Sequence, residues 1–153
     1  MSRRRRSKKR LIIQDPLYNS ELVSQIINKI LLKGKKTIAQ YIFYEAMKKI
    51  QETLNKEPLE ILKKAIENAT PSVEVRSKRI GGTTYQVPVE VKAERAISLS
   101  LKFLINAARE RPGRNMIIKL GNEILDAYDN TGGAVKKKKK FIKKQKQTKH
   151  FQT

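Results

Sequence analysis

The chain has 153 residues, of which 39% are hydrophobic and only 6% aromatic, and its 35 lysines and arginines against 14 acids give a net charge of +21. That length suits one domain with a sizeable core, and so few aromatic residues make the core aliphatic. The absence of cysteine excludes disulfides and thiolate metal sites, and no apolar run approaches the length of a membrane span.

The placement of the charge says more than its size. Residues 1–10 carry seven basic groups and no acid, and residues 132–153 carry nine and no acid. The body, residues 11–131, has 19 basic and 14 acidic residues. Nine of those cations fall in three turns, at 33–36, 76–79 and 109–114, where Glu110 is the only acid. The helices are therefore near neutral while the ends and turns are cationic, the pattern of a scaffold that presents several charged surfaces to a polyanion. The organisation expected is a basic arm (1–10), a helical body (11–131) and a basic C-terminal tail (132–153).

In chain order, MSRRRRSKKR is followed by only three apolar residues, too few for the apolar region of a secretory signal, so it is not expected to be one. Its like charges keep it unstructured alone, and phosphate neutralisation is its expected role. Asp15-Pro16 ends the arm, and Ser20 is the expected N-cap of a first helix carrying Leu22, Val23, Ile26, Ile27, Ile30 and Leu31 on one face. Gly34 is expected to stop it. Thr37 and Gln40 form a capping-box pattern opening a second helix, with Ala39, Ile42, Phe43, Ala46, Met47, Ile50 and Leu54 inward. Gly34-Lys35-Lys36-Thr37 is not a phosphate loop, because Lys29 stands where that motif needs its first glycine. Pro58 suits the first turn of a third helix facing inward through Leu59, Leu62, Ile66 and Ala69.

Residues 73–91 read as a two-stranded β-hairpin. Val73 and Val75 alternate with Glu74 and Arg76, and Tyr85, Val87, Val89 and Val91 alternate with Gln86, Pro88 and Glu90. Gly81-Gly82 supplies the two-residue primed turn. Eight residues per arm would project roughly 26 Å, with valines clustered at the base and Arg76, Lys78 and Arg79 toward the tip. Glu74 is expected to pair with Arg76 or Lys92. A fourth helix follows with Ala93, Ala96, Ile97, Leu101, Leu104 and Ala108 inward, Arg111-Pro112-Gly113-Arg114 breaks it, and a fifth carries Ile117, Leu120, Ile124 and Tyr128. Beyond Thr131-Gly132-Gly133 the lysine-rich tail is expected to become helical only when bound. The fold class is thus mainly α, a five- to six-helix bundle with one extended hairpin arm between the third and fourth helices.

No catalytic constellation is present. His150, the only histidine, lies in the basic tail without the defined setting a general base needs, and no group of acids has metal-ligand spacing. Neither a cofactor nor a metal is expected. Each cation that meets a phosphate releases counterions, so about ten contacts would give a log–log salt slope near −7 to −9. Specificity would come from the arrangement of the patches, with Tyr85 and Gln86 placed to stack on or hydrogen-bond an unpaired base.

Five stretches carry a resemblance that spans nearly the whole chain. They are Asp15-Pro16-Leu17-Tyr18, the Gly34-Lys35-Lys36 turn, VRSKRIGGTTYQVPVEV (75–91), AARERPGRNM (107–116), and Glu123 to Ala127 with TGGAVKKK (131–138). In this order and spacing the chain resembles small-subunit ribosomal protein seven in its bacterial and plastid form. The resemblance implies a helical bundle with an extruded hairpin. It implies binding to the 3′ major domain of the small-subunit rRNA, nucleation of head assembly, and a hairpin near the exit-site tRNA and the mRNA exit path. It also implies neighbouring small-subunit proteins as partners, and a ribosome of a plastid stroma or bacterial cytoplasm.

By that resemblance, rRNA contacts fall on Arg3, Arg4, Arg5, Arg6, Lys8, Lys9 and Arg10 in the arm, on Lys35 and Lys36, on Arg76, Lys78 and Arg79, and on Arg109, Arg111 and Arg114. Gly81 and Gly82 shape the tip. FIKKQKQTKHFQT (141–153) departs from the family's usual mixed, partly acidic ending, so phosphate binding is expected of the tail, including Lys136, Lys137 and Lys138. The rival reading is an architectural DNA-binding protein with a β-arm in the minor groove, for which Ile80 is the one candidate wedge. Binding to an anionic membrane would rest on Phe141, Ile142 and Phe151 alone.

Overall fold

The computed structural model describes residues 8 and 10–147. Six helices and one hairpin follow in the order α1 (Glu21–Ile30), α2 (Lys36–Leu54), α3 (Pro58–Ala69), β1 (Val73–Ile80), β2 (Thr83–Glu90), α4 (Ala93–Glu110), α5 (Met116–Tyr128) and α6 (Gly132–Gln147). α5 is the central helix and packs against α2, α3, α4 and α6. It forms because Ile117, Leu120, Ile124 and Ala127 recur at helical spacing, all buried, behind an Asn115 side chain that accepts the Ile117 N–H. The core is aliphatic, with Ile26, Ile50, Ile61, Leu62, Leu101, Leu104 and Leu120 fully buried beside Met47 and one aromatic residue, Phe43. No described helix is long and apolar enough to cross a membrane.

Ser20 stands at the N-cap position of α1 with extended backbone, as expected, but makes no side-chain cap bond. Asp15, almost fully buried, organises the segment before it. Its Oδ2 accepts from the backbone N–H groups of Leu17 (3.1 Å) and Tyr18 (3.2 Å), and its Oδ1 accepts from the Tyr44 hydroxyl (2.7 Å). An aspartate that bonds the backbone two and three residues on makes its own turn, so the arm leaves the body at a fixed point against α2. The capping box at Thr37 and Gln40 is also absent. α2 already begins at Lys36, with Lys35 at the cap position, which puts Thr37 inside the first turn. α1 ends at Ile30, so Gly34 shapes the turn rather than stopping the helix. Pro58 opens α3 as expected.

The largest difference is α6. Residues 132–147 are helical and packed along α4, where a tail that orders only when bound was expected. The reason lies in four apolar residues among the lysines. Ala134 and Val135 are buried, Phe141 and Ile142 lie two turns further on the same side, and the Phe141 ring meets Phe103 of α4 at 5.5 Å.

The start of α6 is held by a buried carboxylate. Glu123, fully buried on α5, accepts from the Ala134 N–H at 2.7 Å with Oε1 and from Arg111 Nε at 2.6 Å with Oε2. Arg111 also donates to Asp126. A negative charge among the unpaired N–H groups of a first helical turn is favourable, and the guanidinium compensates its burial. The two glycines let the helix come this close. A Cβ on Gly133 would stand 2.9 Å from the Ala107 Cβ, and one on Gly132 2.8 Å from the Asp126 Cβ.

Two predictions test these anchors. Burial, reinforced by the hydrogen bond to Asp15, pushes the Tyr44 hydroxyl up to about 12. Because the raised value favours the neutral phenol, the stability it brings is present below its ordinary value of 10 and is lost as the pH climbs from there toward 12. Tyrosinate absorbance should therefore show a late component near pH 12 that is missing in Tyr44→Phe; identical curves would contradict the assignment. For the second anchor, Glu123→Gln keeps an acceptor for the Ala134 N–H but removes the charge facing Arg111. It should lower the free energy of unfolding by about 1–3 kcal/mol in urea titrations, and an unchanged midpoint would remove Glu123 from the account.

Candidate nucleic-acid interface

The hairpin pairs in the expected register, from Val73↔Glu90 at the root to Ile80↔Thr83 beside the turn. Gly81 and Gly82 both have positive φ, 58° and 87°, as a primed two-residue turn requires. The root, however, is not the valine cluster read from the alternation. Val73, Val75, Val87 and Val91 are only half-buried and Val89 is exposed, whereas Glu74 is 4% exposed.

Glu74 takes the Arg95 Nε at 2.5 Å on one oxygen, and Arg76 Nε and Nη2 at 3.0 and 2.8 Å on the other. Those hydrogen bonds, Arg95 foremost and then Arg76, hold its carboxyl below the usual range against the opposing effect of burial. The Arg76 pairing matches the sequence reading, while its second partner is Arg95 rather than Lys92. Glu74 thus ties the arm to α4.

Cross-strand partners share a face, so the Lys78↔Tyr85 pair points to one side of the ribbon and Ser77↔Gln86 and Arg79↔Thr84 to the other. All six are exposed. Toward its tip, each face of the arm therefore offers one unpartnered cation, Lys78 or Arg79, together with either the Tyr85 ring or the Gln86 amide.

The remaining basic residues fall into two groups. Some face the body. Arg109 donates to the carbonyls of Ile30 (3.2 Å) and Lys29 (3.4 Å) at the C-terminus of α1, where the last carbonyls lack helical partners. Arg111 is held by Glu123 and Asp126, whose hydrogen bonds raise its already high value although burial acts the other way. Lys137 Nζ meets Glu110 at 2.5 Å, and Lys138 Nζ donates to the Asn68 carbonyl at 2.9 Å, with burial pushing its ammonium below the ordinary value.

The others stand exposed, their side chains with no hydrogen-bond or ion-pair partner among the described residues: Lys8 and Arg10, Lys33, Lys35 and Lys36 in the α1–α2 turn, Lys78 and Arg79 on the arm, and Arg114 in the α4–α5 loop. On α6, Lys136, Lys139, Lys140 and Lys143 are exposed among the described side chains, a spacing of i, i+3, i+4 and i+7 that makes one outward stripe. Of the basic residues singled out in the sequence, Arg3, Arg4, Arg5, Arg6 and Lys9 lie outside the described residues, as do His150 and Phe151.

Several anchoring groups carried a weaker sequence signal. Glu123 is an acid on the apolar face defined by Leu120, Ile124 and Ala127, and that position is itself the clue to burial. Asn68, whose amide caps α5 by donating to the carbonyls of Ala127 and Tyr128 at 2.9 Å each, had no local signal because its partners lie 59 and 60 residues away. Among the described residues no group of histidine, cysteine or acids could hold a metal ion.

Comparison with known proteins gives this arrangement its context. The family model described as "Ribosomal protein S7p/S5e" matches residues 2–149. The chain is 64% identical over 151 residues to the small ribosomal subunit protein uS7c of Euglena gracilis, covering 99% of this chain and 97% of that one. It is 54% identical over 138 residues to the uS7c protein of Ostreococcus tauri, covering 90% and 88%. It is 53% identical over 149 residues to the small ribosomal subunit protein uS7 of Mycoplasma capricolum, covering 97% and 96%. A helical bundle with an extruded, cation-bearing hairpin and matches of this length lead to one conclusion: the chain belongs to the ribosomal protein S7p/S5e family of the small ribosomal subunit.

Proposed function

We propose that the chain binds the 3′ major domain of the small-subunit rRNA by clamping separate RNA segments with its basic turns, its hairpin and the outer stripe of α6, and so helps nucleate assembly of the head. As a small-subunit ribosomal protein it partners with rRNA and other ribosomal proteins and is a structural component rather than an enzyme. The architectural DNA-binding reading is not favoured, since the family is ribosomal.

The observation that carries the proposal is the sorting of cations. Those facing the body neutralise acids or cap carbonyls, while Lys35, Lys36, Lys78, Arg79, Arg114 and Lys136 stand exposed without partners among the described residues. A cation free of an internal acid releases its full complement of counterions on meeting a phosphate. Phosphate contact is therefore assigned to these residues with Lys8 and Arg10, and on α6 to Lys139, Lys140 and Lys143 as well. Arg109, Arg111, Lys137 and Lys138 act by placing the loops and α6. Arg76 does both, since its side chain remains half-exposed beside Glu74.

The projecting arm, with Tyr85 and Gln86 on opposite faces, is placed by this reading against exit-site tRNA and the path of departing mRNA. The uS7c relatives and the abundance of lysine and isoleucine support a plastid ribosome, and the Mycoplasma relative a bacterial one.

The test is Lys78→Ala with Arg79→Ala, which leaves the Glu74 cluster untouched. Affinity for a folded 3′-domain fragment should fall and the log–log salt slope should shrink by about 1.4–1.8, with the helical circular dichroism unchanged. An unaltered slope would take the arm off the RNA-binding surface.

A further inference from the structure

Between the segment that leads into the body, α1 and α2 lies a cleft of about 130 Å3. Its walls are of two kinds. Ile13 and Pro16, both exposed, supply apolar surface above a floor formed by the buried Ile27, while Gln14, Asn28, Gln40 and Lys36 supply polar groups. Two other polar groups at the cleft are already engaged: the Ser24 hydroxyl donates to the Ile13 carbonyl at 2.6 Å, and Asp15 is bonded to Tyr44 and its own turn. The carboxamides of Asn28 and Gln40 have no hydrogen-bond partner among the described residues. Each offers two donors and an acceptor.

We propose that this cleft receives one unpaired nucleobase of the bound RNA. The inference rests on the rRNA reading above and adds to it a contact with a base rather than a phosphate. The volume is that of about four waters, too small for a whole nucleotide and suited to a single ring system. Proteins read unpaired RNA bases by contact with the ring faces and hydrogen bonds to the edge. Ile13 and Pro16 provide the first, and Asn28 and Gln40 the second. The position is favourable too, because the residues lining the cleft adjoin two unpartnered basic stretches in the chain: Lys8 and Arg10 lie just before Ile13, and Lys33 and Lys35 just before Lys36. The Asp15 turn keeps the cleft in shape before RNA arrives.

The experiment compares the full chain with Asn28→Ala/Gln40→Ala. Neither side chain makes a hydrogen bond among the described residues and both are at least partly exposed, so the fold is retained, as circular dichroism will check. The probes are a folded 3′-domain rRNA fragment and inorganic polyphosphate, which has the charge but no bases.

The double variant should bind the rRNA fragment roughly 5- to 150-fold more weakly, by the same factor at every salt concentration. Its binding to polyphosphate should be unchanged. Equal rRNA affinity would reduce the cleft to a hydration site and overturn the proposal, as would a parallel loss on polyphosphate, which would place the two amides on phosphates. If the unaltered chain binds the fragment no better than polyphosphate, the rRNA reading itself fails and takes this inference with it.

Discussion

The buried carboxylate of Glu123 is the interaction on which the arrangement of this protein depends. It sits on the central helix, α5, and in one step joins the loop before that helix, through Arg111, to the first turn of the helix after it, through the Ala134 N–H. Without it, a segment with five consecutive lysines, Lys136 to Lys140, would have only a narrow apolar stripe and the contacts of Lys137 and Lys138 to hold it against mutual repulsion. With it, the lysines become a helix with a fixed outward face. Glycines at 132 and 133 are required by the same contact, because a side chain at either would meet Asp126 or Ala107.

Glu74 does for the hairpin what Glu123 does for α6. In both places a nearly inaccessible acid is bound by arginines from two directions or by an arginine and a helix terminus. Removing one partner of such a group is costly, because a charge is left in a poor environment. A chain with this much positive charge thus spends its buried acids on internal joints and leaves other cations without internal competitors. The surface-exposed pair of Lys137 with Glu110 is a weaker version of the same device. What results is a rigid body whose free cations are separated by tens of residues in sequence and held in fixed relation in space.

Much of the fold was legible because its signals are local. Apolar periodicity marked α1 to α5, Pro58 marked the start of α3, and Gly81-Gly82 fixed both the turn and the register of the arm. The failures came where distant contacts override local chemistry. Ser20 does stand at the cap position of α1 but makes no side-chain cap bond, and an earlier start of α2 puts Thr37 inside its first turn. The lysine tail read as unstructured on charge alone, because the contribution of Phe141 depends on Phe103, 38 positions away. The basic residues of the candidate site were visible as clusters. Their division into anchoring and presented groups was not, since Arg111 and Arg114 look alike in sequence and differ only in what folds against them.

Recognition is proposed to come from the fixed arrangement of basic surfaces and not from charge alone. The most direct measurement is binding to a folded 3′-domain rRNA fragment against duplex DNA of equal charge, at low and at moderate salt. Screening weakens the phosphate contribution to both polymers as counterion release becomes less favourable. The account predicts a preference for the rRNA that survives the higher salt. Equal binding to both polymers, fading together as salt rises, would contradict it.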